Sequence, residues 1–332
     1  MSATLNLWSP TKRDILNEVF LRASQTPRRE FAVFDADNTI WQHDISEALL
    51  AWLDYCQEIN ISDFPDSLLP IPPLPQETAI SYYERLHDWD ISTCYLWCVQ
   101  ALHNFSLADI RQKIKELLNF NKPIPVTMYQ KGQFVSSTVP VPKIYPAQVQ
   151  LIHALQEQEI DVWVVSASQE EVVRMVISDP VYGINLPPEN VIGVNMILRD
   201  PEGNPFLSAH ERMSNKTGFA YYFSKKRQAA RFSSYLHAPA TWYSGKVSAI
   251  KEWIHPEQKP FLVAGDSPND FHMQFYANVK QGGLRLRVTQ NPAHTSTLKN
   301  EIDRRANGQN GSIPAQGWFE VTPDELHGRS QI

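Results

Sequence analysis

Several carboxylates follow directly on short apolar runs, and they are the residues most able to do chemistry. Asp35 and Asp37 come after one run, and Asp266 and Asp270 come after another. Carboxylates that lie close together need a positive charge nearby to remain ionised. Mg²⁺ meets this need because it takes hard oxygen ligands and keeps water or substrate oxygens in its shell. The pattern predicts a divalent-cation site at Asp35, with Asp266 as a natural additional ligand.

Two further residues could hold an oxyanion beside these carboxylates. Ser166 follows a third apolar run, and its hydroxyl and the nearby backbone N–H groups could bind a phosphate oxygen. Lys246, in Ser244-Gly245-Lys246, offers a positive charge for negative charge that develops during phosphoryl transfer. Each signal also has an ordinary explanation, since a lone Asp-x-Asp is often a turn and a serine after a strand is often a helix cap. Their occurrence together, and in this order, favours an active site.

The elements that must position these residues alternate between strand and helix. The apolar runs at 31–34, 162–165 and 261–264 indicate buried strands, and helical periodicity surrounds the last two. We therefore expect an α/β fold with a doubly wound, mainly parallel, Rossmann-like sheet. In such sheets ligands bind at the carboxyl ends of the strands, where the candidate residues lie.

A long helical segment interrupts this alternation. Helical spacing dominates from about 44 to 120, broken by a proline-rich loop at 65–75, and a second proline cluster at 140–146 resembles a return linker. We expect a discontinuous core, residues 1–43 and 141–332, with a helical cap inserted at 44–140. Asp200 to Asn204 is typical of a hairpin turn, and the basic run 225–227 is typical of a solvated helix face. No motif accounts for residues 197–240.

Composition narrows the function classes. The net charge is −6, which argues against nucleic acid or an anionic membrane as the main partner. The three cysteines do not suggest a disulfide framework, and no secretory signal or membrane-length apolar stretch is visible. The expectation is a cytoplasmic protein that acts on a small molecule, although a trimmed form of an exported protein would look the same. The oligomeric state is left open.

Taken together, the four motifs resemble the signature of the haloacid dehalogenase superfamily. The resemblance covers residues 31 to about 275, and the second aspartate of the first motif is the one that favours phosphatases over dehalogenases. It implies that Asp35 is the nucleophile, that Asp37 is the general acid and base, and that Mg²⁺ is the cofactor. The metal would be held by the Asp35 and Asp266 carboxylates and the Asp37 backbone oxygen, with Asp270 in support or as an alternative ligand. The phosphoryl group would be held by Ser166 and Lys246, with Thr39 and Asn269 as further substrate-site residues.

Other stretches resemble bacterial phosphorylcholine phosphatases. They include Tyr82-Tyr83-Glu84-Arg85-Leu86, Pro187 to Val194, Trp242 to Lys246 and the tail Gly317 to Pro323. This resemblance implies that Glu47 helps to bind the choline ammonium. Members known for this activity are typically exported, whereas no secretory signal is visible in this sequence.

A quaternary ammonium has no N–H to donate and is recognised by aromatic faces together with a carboxylate. Ten aromatic residues lie between Trp41 and Phe105, among several acidic ones. Most of these must pack in the interior, and we expect two or three to face the substrate. The candidates for this cation site are Trp41, Tyr82, Tyr83, Trp89 and Trp97, with Glu47 and Glu84.

Two other functions are compatible with the sequence. A hydrolase of the phosphoserine phosphatase kind would need a cationic partner for the substrate carboxylate, and Arg85 is one candidate. A catalytically silent binding protein on the same fold is a second alternative, disfavoured by the presence of every motif side chain.

Overall fold

The computed structural model describes residues 5–237, 240–310 and 312–328. Twelve strands are found in these residues: β1 Phe31–Phe34, β2 Trp41–Gln42, β3 Ile124–Gln130, β4 Gln133–Val139, β5 Lys143–Ile144, β6 Asp161–Gln169, β7 Val191–Arg199, β8 Pro205–Phe206, β9 Arg231–His237, β10 Leu262–Gly265, β11 Leu284–Val288 and β12 Trp318–Val321. The α-helices of the same residues are α1 Pro10–Ser24, α2 Ile45–Tyr55, α3 Ala79–Trp89, α4 Ile91–Gln100, α5 Leu107–Phe120, α6 Pro146–Glu157, α7 Glu170–Ile177, α8 Ser208–Met213, α9 Phe219–Tyr222, α10 Lys225–Gln228, α11 Ser244–Ala249, α12 Phe271–Tyr276, α13 Pro292–Arg305 and α14 Pro323–Leu326. None of these helices combines the length and the apolar character needed to cross a bilayer.

The central sheet confirms the predicted α/β fold. Its order is β12-β11-β10-β1-β6-β7-β8, and every pairing from β12 to β7 is parallel. Strand β1 is buried on both faces: Ala32 and Phe34 pack into the larger hydrophobic core, while Phe31 and Val33 pack into a smaller one on the other face. Burial on both faces explains why the sheet strands are continuous apolar runs rather than alternating ones.

The edge beyond β7 is antiparallel. Strands β8 and β9 both pair with β7, and Leu198 lies opposite Phe206 in the first pairing. The turn at 200–204 therefore closes a hairpin, as its sequence predicted.

Helices α2 to α5 and the hairpin β3–β4 form an insert, residues 45–139, between β1 and β6. The short antiparallel pair β2–β5 joins the chain where it leaves and re-enters the sheet region, with Trp41 opposite Ile144. The hairpin was not predicted, and its turn residues Lys131 and Gly132 both have positive φ, as a two-residue type I′ turn requires. Buried residues of the insert and of one sheet face belong to one continuous core.

Residues 197–240, for which the sequence predicted no role, contribute to a buried network of ion pairs with helix α7. Arg227 lies almost entirely out of solvent and pairs with Glu171 and Glu211, both at 2.9 Å. Arg174 pairs with the same Oε1 oxygen of Glu171 at 2.5 Å. The interpretation of 225–227 as a solvated face is therefore wrong at Arg227, because a charge run alone does not reveal a carboxylate supplied by another helix.

Candidate active site

Asp35, Asp266 and Asp270 form a buried carboxylate cluster at the carboxyl edge of the sheet. Strands β1 and β10 are parallel neighbours, and the Asp35 amide donates to the Ala264 carbonyl at 2.9 Å. One carboxylate oxygen from each of the three aspartates lies within 4.8 Å of the others. In the sequence Asp35 lies more than 230 positions before Asp266 and Asp270, and the parallel pairing brings them together.

The Lys246 ammonium lies inside this cluster. Its Nζ donates to Oδ1 of Asp35 and to Oδ1 of Asp270, both at 2.6 Å, and the side chain is completely buried. Although burial disfavours its charge, the two adjacent carboxylates raise the pKa of Lys246 above its ordinary value, so the side chain stays protonated.

The Asp270 carboxylate organises the loop that carries Asp266. Its Oδ2 accepts hydrogen bonds from the backbone amides of Asp266 at 3.0 Å and Ser267 at 3.2 Å. A Cβ added at Gly265 would lie only 2.5 Å from Cβ of Asp270, so this loop can close only around glycine.

The Asp37 carboxylate, at the same carboxyl edge of the sheet, accepts hydrogen bonds from three donors. Its Oδ1 accepts from the Trp41 indole and from the Ile45 amide, both at 2.7 Å, and its Oδ2 accepts from the Ser168 hydroxyl at 2.6 Å. Burial, and next the neighbouring Asp44, raise the pKa of Asp37 to about 7. This carboxyl is therefore positioned to exchange a proton near neutral pH.

Ser166 lies deeper than the sequence suggested. It is completely buried, its hydroxyl accepts a hydrogen bond from the Ser168 amide at 3.1 Å, and it is not part of the cavity wall. The hydroxyl that reaches the cavity and touches Asp37 is that of Ser168. Strand β6 continues to Gln169, and its register with β7 shifts after Val165, which brings Ser168 to the carboxyl edge of the sheet. The apolar run that predicts this strand ends at residue 165, so the position of Ser168 could not be predicted from it.

A cavity of about 630 Å³ lies between this edge and the insert. Its floor includes Asp35, Asp37, Ser168 and Asp266, and Asn269 also lines it while accepting from the Tyr243 amide at 2.6 Å. Sequence reasoning missed several wall residues, because their approach depends on how the helices dock: Asp44, Tyr95 and Cys98 from the insert side, and Gln290 and His294 beyond β11. Gln290 donates to Oδ2 of Asp266 at 2.9 Å.

The cavity wall is acidic and aromatic. Asp44 caps α2 by accepting from the Ser46 and Glu47 amides, and Tyr83 and Tyr95 come from α3 and α4. Among the described residues that line the cavity there is no lysine or arginine. Burial, and next the Glu47 charge, raise the pKa of Asp44 to about 6.

The other residues predicted for substrate binding are dispersed. Tyr83 lines the cavity, and Trp41 lies behind Asp37 as its hydrogen-bond donor. Glu47 is outside the cavity wall, and burial, then the charges of Glu84 and Asp37, raise the pKa of its carboxyl to about 7. Thr39 is buried, and its hydroxyl has no hydrogen-bond partner among the described residues.

Four predicted cap residues do not reach the cavity. Tyr82 donates its hydroxyl to the Ile71 carbonyl, and Trp97 packs between Tyr82 and Phe64 in the interior of the insert. Trp89 is 58% exposed and lines a separate hollow together with Glu84. Tyr82, Trp97, Trp89 and Glu84 therefore lie outside the cavity wall, to which α3 and α4 contribute Tyr83 and Tyr95 instead.

The carboxylate cluster fits a divalent cation. Of the three buried carboxylates, Asp35 and Asp270 pair with the Lys246 ammonium, which is the one cation bonded to the cluster among the described residues. The cluster therefore retains excess negative charge in a poorly solvated place. Burial, and next the Asp270 charge, raise the pKa of Asp35 to about 7, and the same two causes raise that of Asp266. An all-oxygen donor set with uncompensated negative charge is the kind that Mg²⁺ selects.

Comparison with known proteins agrees with this geometry. The phosphorylcholine phosphatase of Pseudomonas aeruginosa is 33% identical over 304 residues, which cover 89% of this chain and 86% of that protein. A conserved protein of unknown function from Anaerococcus prevotii has a similar fold, with a TM-score of 0.62, 17% identity and 96% of each chain covered. A protein of unknown function from Bordetella pertussis is similar at a TM-score of 0.51 and 11% identity, covering 89% of this chain and 99% of that one. No family model matches the chain.

The parallel sheet, the aspartates at its carboxyl edge and the buried lysine define a phosphatase of the haloacid dehalogenase type, and not a silent binding protein. Within that class, the extent of the identity places the chain in the phosphorylcholine phosphatase family.

Proposed function

We propose that this protein is a Mg²⁺-dependent phosphomonoesterase that hydrolyses phosphorylcholine, or a similar small cationic phosphate ester, through an aspartyl-phosphate. The observation that carries the proposal is the arrangement at the cavity floor. Nζ of Lys246 lies 2.6 Å from Oδ1 of Asp35 there. Asp266 and Asp270 belong to the same carboxylate cluster as Asp35, and Asp37 lines the same cavity.

In the first step, a carboxylate oxygen of Asp35 attacks the phosphorus, and the bond from phosphorus to the ester oxygen breaks. Asp37 donates its proton to the departing oxygen, so that the alcohol leaves neutral at that atom. Asp35 now carries the phosphoryl group as an acyl phosphate.

In the second step, Asp37, now ionised, accepts a proton from a water molecule whose oxygen attacks the phosphorus. The bond between phosphorus and the Asp35 oxygen breaks, which restores both carboxyl groups to their starting states and releases inorganic phosphate. An acid that must give and then take a proton works best with a pKa near the working pH, and burial holds Asp37 there.

Asp35, Asp266 and Asp270, with the Asp37 backbone oxygen, would hold Mg²⁺, which when bound supplies positive charge to the phosphoryl oxygens. Lys246 orients Asp35 by its hydrogen bond and adds a fixed positive charge beneath the reacting group. Ser168, through its 2.6 Å hydrogen bond, orients the Asp37 carboxyl. Ser166 supports that position from beneath by accepting from the Ser168 amide.

The charge of the cavity wall supports a cationic leaving group. Asp44, Tyr83 and Tyr95 offer a carboxylate and two aromatic rings, the chemistry that suits a quaternary ammonium. The name of the Pseudomonas aeruginosa relative points to the same substrate.

The phosphoserine-type alternative lacks this support. Its candidate residue Arg85 is committed to Glu77 at 2.6 Å and to the Pro72 carbonyl at 2.9 Å, and it lines the separate hollow with Glu84 and Trp89.

The test is a steady-state comparison of phosphorylcholine, phosphoethanolamine, phosphoserine and a neutral aryl phosphate, with Asp35→Asn as the matched inactive control. We expect phosphorylcholine to have the highest kcat/KM, and Asp35→Asn to reduce turnover of every substrate to background. Retained turnover of the aryl phosphate by Asp35→Asn would refute the mechanism. Equal or better use of phosphoserine would refute the substrate assignment and leave the mechanism standing.

A further inference from the structure

A second cavity, of about 300 Å³, lies near the amino ends of β10 and β11, at the edge of the sheet opposite the candidate active site. Four cationic side chains line it: Lys259, Lys280, Arg285 and Arg305. No aspartate or glutamate of the described residues is part of its wall. In a chain with a net charge of −6, this concentration of positive charge requires an explanation.

Arg285 is the central group of this cavity. It is 2% exposed, its Nε donates to the Gln274 carbonyl at 2.9 Å, and its Nη1 donates to three carbonyls between Ile313 and Gln316. None of the carboxylates in the described ranges forms an ion pair with it, and its Nη2 makes no hydrogen bond to those ranges. Burial, and next the nearby Arg305 charge, lower the pKa of Arg285 to about 10.

Two arginines of this cavity lie against the same aromatic ring. The guanidinium of Arg305 lies 4.2 Å from the centroid of the Phe275 ring, and that of Arg285 lies 5.3 Å from the same centroid. The guanidinium of Arg285 also lies 5.3 Å from the centroid of the Trp318 ring. Arg305 pairs with Glu301 at 2.6 Å, whereas Arg285 has no ion-pair partner among the described residues. A buried charge without a counter-charge is costly, so an anion that enters beside Arg285 would stabilise it. The Nη2 group of Arg285, which makes no hydrogen bond to the described residues, remains available to donate to a phosphate oxygen.

We propose that this cavity is a binding site for a small phosphate-containing anion, held by Arg285 and Arg305 with Lys259 and Lys280 at the rim. The inference does not rest on the proposed catalytic function. Lys259 and Lys280 are exposed and can adjust to an anion that enters, whereas Arg285 is fixed by the carbonyls around it.

The experiment is isothermal titration of inorganic phosphate into the wild type, Arg305→Gln and Arg304→Gln. Both arginines bind Glu301 at 2.6 Å, but only Arg305 lines the cavity, so Arg304→Gln is a matched control for the lost ion pair. We expect two binding events in the wild type and in Arg304→Gln, and at least a 10-fold weakening of one event in Arg305→Gln. Phosphate inhibition of phosphatase activity, which reports the catalytic cavity, should be unchanged in Arg305→Gln.

Lys280→Glu changes an exposed residue and provides a second test should Arg305→Gln fold poorly. Its expected result is the same selective weakening. A parallel titration with pyrophosphate distinguishes two kinds of ligand. Tighter binding of inorganic phosphate would indicate a site for the free ion, and tighter binding of pyrophosphate would indicate a site for a phosphate group on a larger molecule. Either result at this cavity supports the proposal. A wild type with a single event that competes with substrate, or variants that bind both probes as the wild type does, would overturn it.

Discussion

Nζ of Lys246 lies 2.6 Å from Oδ1 of Asp35, in a place with no solvent access for the ammonium. The same ammonium pairs with Asp270, and Asp266 completes the carboxylate cluster, so among the described residues three clustered carboxylates have one bonded cation and a net negative charge.

Chelation with EDTA should abolish phosphatase activity, and Mg²⁺ should restore it. Mg²⁺ should also raise the Tm of the wild type, because a cation that binds the folded protein and relieves carboxylate repulsion stabilises it. Asp266→Asn should lose most of this rise in Tm, as measured by calorimetry without Mg²⁺ and with Mg²⁺ at about 100 times its dissociation constant for the wild type. Asp66→Asn, at an exposed position in the insert, is the control and should respond as the wild type does. An equal Mg²⁺ effect on Asp266→Asn would contradict the assigned ligands.

Gly265→Ala should inactivate the enzyme and destabilise it. The new Cβ would lie 2.5 Å from Cβ of Asp270, which must move and release the amides of Asp266 and Ser267. Overpacking of this kind costs about 1–3 kcal/mol, to be checked by urea unfolding alongside kcat. Gly308→Ala is the control, since no atom lies within 4 Å of its added Cβ. Full activity of Gly265→Ala would show that the loop tolerates another conformation.

Asp44→Asn should reduce selectivity for a cationic substrate. Asparagine still caps α2, so the helix is retained while the negative charge of the cavity wall is lost. We expect kcat/KM for phosphorylcholine to fall about 10-fold, equivalent to about 1.4 kcal/mol, and that for a neutral aryl phosphate to change much less. The measurement is the ratio of the two kcat/KM values. Equal losses for both substrates would assign Asp44 a structural role instead.

Glu171→Gln should alter stability in a pH-dependent way. Arg174 and Arg227 hold the pKa of Glu171 well below its usual range despite its burial. The stabilisation is therefore fully present above the unfolded pKa of about 4.3, and it is lost as the pH falls below that value toward the folded pKa. Breaking a buried pair costs about 3–5 kcal/mol at pH 7.

Urea unfolding of the wild type and of Glu171→Gln at pH 7 and pH 3 tests this point, and the difference in unfolding free energy between them should narrow at the lower pH. Glu18→Gln, which breaks an exposed pair with Arg22, is the control and should cost no more than about 0.5 kcal/mol. A gap that does not depend on pH would show that packing, and not charge, accounts for the loss.

The sequence alone determined the parallel sheet and the side chains that meet at its carboxyl edge. Buried strands have a local signature, and parallel pairing forces the residues after them together, so Asp35, Asp37 and Asp266 could be placed before any contact was known. Lys246 was recognised from its motif, and the structure places its ammonium 2.6 Å from Asp35 and from Asp270.

Only the tertiary structure decided which side chains reach the cavity. Ser168 replaces Ser166 at the wall because β6 shifts register after Val165, and Asp44 and Tyr95 line it because of how α2 and α4 lie over the sheet edge. Trp89 and Trp97, which looked equally suited to bind a cation, face solvent or the interior of the insert. The periodicity of apolar residues along a helix or strand indicates which of its faces is buried. It does not indicate which other element packs against that face, because that contact is between residues far apart in the sequence.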